Sequence, residues 1–139
     1  MKNYEKHVEI TKELLDTVKV GDLIKINDWG KPLRVKGVSE NYFVMAAKQF
    51  GDTVYSVCEK KKWDGTRYND MRGGMFHCGC DNWVFGWSGF EEDYDFDDAD
   101  RTTEYLDSFE KGESSISPRS AIAIDTLYIK RAQKDEAKQ

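Results

Sequence analysis

The chain has 139 residues, enough for one domain with a core of its own that needs no disulfide or metal to hold it. With 39% hydrophobic residues, a mean hydropathy of -0.74 and no apolar run near the roughly 18 residues of a membrane helix, a membrane protein is excluded as an expectation. The net charge of -5 comes from one place: residues 91–113 hold 11 Asp+Glu against 2 Lys+Arg, while the segments before and after are each slightly basic.

The N-terminus MKNYEKHVEITKE lacks the apolar centre of a signal peptide, so a cytoplasmic protein of a bacterial host is expected. Asn3 reads as a helix cap, followed at helical spacing by Tyr4, Val8, Thr11, Leu15 and Val18, with Ile10 and Leu14 alongside and Gly21 as the stop. This helix is expected to pack on a sheet; a seam between two copies, making a homo-oligomer, is the alternative.

From Leu23 the period changes. Leu23–Asn27, Leu33–Val38, Tyr42–Lys48 and Thr53–Lys60 are short runs rich in Val, Ile, Tyr and Phe, separated by turn-forming segments. They predict an antiparallel meander that curls into a small SH3-like barrel. Residues 61–82 contain four glycines and no clean period, which reads as a long loop able to approach a ligand closely. Asn82–Trp87 reads as a further strand. Asp97 or Asp98 is expected to cap a helix over Asp100–Glu110, with Tyr105, Leu106 and Phe109 as its buried face and Gly112 as its end. Glu113–Ser120 is a link, and Ala121–Lys130 a last strand whose parity shift between Ile124 and Leu127 implies a bulge. Residues 132–139 have little to bury and are expected to fray. The expected architecture is a single α+β domain over residues 1–131: a strongly bent antiparallel sheet or SH3-like barrel with an N-terminal helix and one later short helix.

In this order VGDLIKIND, ENYFVMA, TVYSVCEKKKWDG, GCDNWVFG, EYLDSFEKGE and ISPRSAIAIDTLYIKR resemble small proteins of Firmicutes phages and prophages, over most of residues 20–131. The resemblance implies a mobile-element context only; small phage proteins of this size often bind something in the host, and two kinds come into consideration. One kind sequesters nucleotide immune signals; the other imitates nucleic acid. It implies no role for any residue.

The densest chemistry lies between Tyr55 and Gly86. A nucleotide needs cations for its phosphates and a flat face for its base. Lys60, Lys61, Lys62, Arg67 and Arg72 offer the first, while Trp63, Tyr68 and Phe76 offer the second. Gly73 and Gly74 offer backbone N–H groups to a phosphate, and Trp29, Arg34 and Tyr42 join such a pocket if the meander brings them there. The plainer reading is solvent-facing lysines followed by a loop pinned through its aromatics.

The acidic segment is the second candidate. Glu91, Glu92, Asp93, Asp95, Asp97, Asp98 and Asp100 put seven carboxylates within ten residues. Ordered, they resemble a row of phosphates able to block a basic host defence protein, as an anti-CRISPR or anti-restriction inhibitor does. Unordered, they are a solvated lead-in to a helix whose N-terminus favours negative charge. Asp93, Asp95, Asp97 and Glu104 also match positions 1, 3, 5 and 12 of a calcium loop, but position 6 is Asp98 where that loop turns on Gly.

Three cysteines, with Cys78 and Cys80 too close for an ordinary bridge, argue against a secreted disulfide framework. Cys58, His77, Cys78 and Cys80 lack the C-x2-C spacing of a zinc grip, and buried thiols are the expected alternative. His77 is the one credible general base, and nothing activates a neighbouring cysteine as a nucleophile. The expectation is therefore a non-enzymatic binding protein without cofactor or metal. It takes a nucleotide-like or phosphate-bearing small molecule through Lys61, Lys62, Trp63, Arg67, Tyr68, Arg72 and Phe76. The alternatives are an inhibitor acting through the acidic segment and a small RNA-binding or regulatory barrel.

Overall fold

The sheet is built outward from its longest pair, β4 (Tyr42–Gln49) and β5 (Asp52–Glu59), antiparallel and in continuous register from Tyr42↔Glu59 to Gln49↔Asp52. A computed structural model describes residues 4–28, 32–49, 52–64, 75–80, 99–116 and 121–132. In chain order the remaining elements are β1 (Glu5–His7), α1 (Lys12–Leu15), β2 (Leu23–Ile26), β3 (Leu33–Val38), β6 (Phe76–Cys80), α2 (Ala99–Glu110), β7 (Ala121–Ile124) and β8 (Leu127–Lys130). All the described strands lie in one antiparallel sheet of order β1-β8-β2-β3-β4-β5-β6-β7, curled strongly into a half-barrel.

Both faces of the central strands are covered, which is why YFVMAA reads as an unbroken apolar run. Phe43, Met45, Cys58 and Cys78 point into the concave side, where Ile24, Ile26, Val35, Leu127 and Ile129 meet Leu15 and Val18. Val44, Ala46, Tyr55 and Val57 point outward and are covered by Leu106 and Phe109 of α2, together with Trp63 and Ile116. A register shift between Val35 and Gly37 turns Gly37 to this outer face. A methyl group at Gly37 would overlap Thr102 and meet Leu106 at 3.0 Å, so the bare backbone there is what lets α2 lie on the sheet.

The expected N-terminal helix is corrected. Residues 5–7 form a strand on β8, with Glu5 opposite Ile129, and only Lys12–Leu15 is helical. Thr11, not Asn3, supplies the cap: its Oγ1 accepts from the Leu14 N–H at 3.1 Å. The local period pointed to a helix, but backbone groups far along the chain offered a ladder that periodicity cannot see. Ile10, Leu14, Leu15 and Val18 still reach the inner core, whereas Val8 is 70% exposed. The long loop over residues 61–82 is likewise interrupted by β6, held between β5 and β7.

The expected single last strand is two. At Asp125 and Thr126 the chain leaves β7 on one edge of the sheet and enters β8 between β1 and β2, so this two-residue corner joins the two ends of the curl. Asn27 fastens it: its Nδ2 donates to the Ala123 carbonyl at 2.8 Å, and its Oδ1 accepts from the N–H groups of Asp125 and Thr126 at 2.7 and 3.0 Å. Asp22, 2% exposed, secures β8 further on, accepting from Lys19 N, Ala132 N and the Arg131 guanidinium. β2, β3, β4, β5 and α2 stand within about two residues of their expected bounds, an ordinary margin for element ends. The expected strand Asn82–Trp87, the Asp97 or Asp98 cap and the tail from residue 133 lie outside the described residues.

Candidate functional site

The basic triplet at the exit of β5 is split by the fold. Lys60 turns inward: its backbone N–H extends the ladder to the Asn41 carbonyl at 2.9 Å. Its Nζ donates to the Ser39 carbonyl at 2.8 Å and stands 3.5 Å from Asp16. Burial pushes its pKa down, and the Asp16 carboxylate offsets part of that, so Lys60 is a structural cation and not a ligand contact. Lys61 and Lys62 stay exposed, with no side-chain hydrogen bond or ion pair among the described residues.

Those two lysines border a cleft of about 570 Å³, lined also by Ile10, Thr11, Lys12 and Glu13 from the α1 segment, Asn41 from the β3–β4 turn, and Phe76 from β6. The size falls in the range of small-ligand sites, roughly 300–1,000 Å³. Its lining is mixed: Ile10 and Phe76 are apolar, and three lysines face one carboxylate. The wall carrying Asn41 is rigidly held. Glu110 of α2 accepts from Ser39 Oγ at 2.6 Å, Asn41 N at 2.7 Å and Asn41 Nδ2 at 2.8 Å. Burial alone would raise the Glu110 pKa; the bonds from Ser39 and Asn41 and the Lys60 charge outweigh it and leave the pKa below the usual glutamate value.

Of the expected ligand residues, the fold therefore brings Lys61, Lys62 and Phe76 together. Trp63 goes elsewhere: 7% exposed, it donates from Nε1 to Glu59 at 3.2 Å and meets the His77 ring edge-on at 4.7 Å in the outer core. Arg67, Tyr68, Arg72, Gly73 and Gly74 lie outside the described residues, as does Trp29. Arg34 instead donates to the Gly21 carbonyl at 2.8 Å, and Tyr42 packs on Phe109 at 5.3 Å. Ile10, Thr11, Lys12, Glu13 and Asn41 were not anticipated as lining. The Thr-Lys-Glu start of a short helix was the available signal, hidden by the longer period read across it.

The acidic segment is described only from its end: Asp100 is exposed in the first turn of α2, as is Glu104 further along it. Glu91, Glu92, Asp93, Asp95, Asp97 and Asp98 lie outside the described residues, and with them the calcium reading. For zinc the alternation of β6 is decisive. Cys78 faces the inner core opposite Cys58, while His77 faces outward to Trp63, so these three cannot close on one ion. Burial pushes the Cys58 thiol well up, with Cys78 adding to it, and burial pushes His77 down. Both are 0% exposed. No described helix is long and apolar enough to cross a membrane. Comparison with protein-family models, with curated proteins and with solved structures finds no match to this chain.

Proposed function

We propose that the protein is a non-enzymatic binding protein that holds a nucleotide-like, phosphate-bearing small molecule in the cleft between α1 and the end of β5. What supports this reading most is the contrast within one triplet: Lys60 is consumed by the fold, while Lys61 and Lys62, without a side-chain partner among the described residues, border the cleft beside the apolar Ile10 and Phe76. An ammonium pair of that kind favours a phosphate, and Ile10 and Phe76 favour the less polar part of the same ligand. The phage and prophage resemblance supplies the context, in which holding a host immune signal out of circulation is the natural use of such a site.

The test is native mass spectrometry of the purified protein with a small-molecule extract of defence-active, phage-challenged bacteria, followed by titration of the ligand found. The expected result is a discrete mass gain equal to an intact, unmodified nucleotide. The double variant Lys61→Ala, Lys62→Ala weakens binding by about tenfold or more, the loss of two charge-assisted contacts. A mass gain indifferent to that variant overturns the site, and turnover of the ligand overturns the non-enzymatic reading.

A further inference from the structure

The cleft contains a third cation that is not free. Lys12 Nζ donates to both carboxylate oxygens of Asp16, at 3.0 and 3.1 Å, across one turn of α1, and both side chains are 45% exposed. Asp16 has a second cation within reach, the buried Lys60 at 3.5 Å, which is itself held by the Ser39 carbonyl. The carboxylate thus sits between a cation that lines the cleft and one that does not.

We infer that Asp16 is an affinity-setting residue: it occupies Lys12 as an internal counter-anion, and a ligand phosphate displaces it by drawing Lys12 to itself. This rests on the cleft being an anion site, as proposed above, and adds how that site is regulated. The exchange is favourable for three reasons. Lys12 already lines the cleft, so a change of side-chain rotamer suffices. The pair it leaves is exposed, and exposed ion pairs contribute little to stability, whereas a phosphate carries more negative charge and more acceptor oxygens than one carboxylate and engages Lys12 together with Lys61 and Lys62. Asp16 is not stranded when Lys12 leaves, because Lys60 remains beside it. The hydrogen bond from Lys12 also holds the Asp16 carboxyl below its usual pKa, so removal of Lys12 leaves a mark on Asp16 that can be read separately.

The experiment is a titration of inorganic phosphate, and separately of adenosine monophosphate, followed by NMR of the lysine side chains and the Asp16 carboxyl. The expected result is that Lys12, Lys61 and Lys62 shift with one dissociation constant while the Asp16 pKa rises. Asp16→Asn, which keeps an oxygen acceptor for Lys60, then binds up to about fivefold tighter, the range of one exposed ion pair. Lys12→Met binds about threefold more weakly and cancels the gain of Asp16→Asn in the double variant. Lys12 is exposed, so its variant folds whatever Asp16→Asn does. Shifts at Lys61 and Lys62 with Lys12 still on Asp16 and affinity unchanged in Lys12→Met overturn the inference and leave the cleft standing. No lysine shift with either anion overturns the anion site, and this inference with it.

Discussion

Among the described residues Asn27 is the non-glycine residue with a positive φ, 53°, a backbone region that costs most L-residues about 1–2 kcal/mol and asparagine less. Its side chain makes three bonds to the β7–β8 corner, and its own N–H donates to the Thr126 carbonyl at 2.7 Å. Asn27→Ala keeps the backbone strain and loses the three bonds. It is expected to lower the unfolding free energy by about 2–3 kcal/mol in urea denaturation, against about half that for Asn27→Asp, which keeps the acceptors. Equal losses for the two would mean that the Oδ1 acceptor contributes nothing to the corner. His77 governs a pH effect. Burial lowers its folded pKa below 6.5, so below that pH the unfolded chain binds a proton that the folded chain refuses. Stability is therefore complete above about pH 6.5 and falls as pH drops through the folded value. The Glu110 pKa is also depressed, and its contribution is complete above 4.5 and lost below that, as a second, more acidic step. Thermal unfolding measured from pH 8 to 4 should show both onsets, and His77→Phe, which keeps a ring against Trp63, should remove the first alone.

At the scale of elements, α2 depends on one backbone position of another element. Gly37→Ala forces a methyl group into Thr102 and Leu106, and helix and sheet must part. The expected cost is about 1–3 kcal/mol, with faster hydrogen exchange across Ala99–Glu110 than across β4, and uniform acceleration would show that α2 does not move as a unit. This helix was legible in the sequence because its signals are local: Tyr105, Leu106 and Phe109 at helical spacing, and Gly112 with φ +80° at its end. β2, β3, β4 and β5 were legible for the same reason, each a short β-rich run between turns. β1 was not, since three residues without apolar alternation become a strand only through β8, about 120 positions away. β6 was missed because Gly79 and two small thiols in FHCGC resemble a loop until β5 and β7 stand on either side. The site divides likewise. Lys61 and Lys62 announced themselves by charge, but nothing local distinguishes them from Lys60, which needs Ser39 and Asp16, far off in the chain, to become an interior residue.

For the molecule as a whole, the apolar cover on both faces of the central strands raises a question that a half-exposed sheet never meets. A strand with one wet face cannot slip by one residue without carrying its core into water. Here Phe43, Val44, Met45 and Ala46 are all buried, so polarity does not tell one alignment of β4 and β5 from the next. Size does. On the inner side the bulky Phe43 and Met45 stand opposite Cys58 and Ser56; on the outer side the slighter Val44 and Ala46 stand opposite Val57 and Tyr55. Each layer therefore sets large against small, or medium against medium. A slip of one place would send Phe43 and Met45 under α2, where Gly37 marks how little room there is, and leave a void within the curl. The alignment of the longest strand pair is written in side-chain volume, a code that hydropathy does not register.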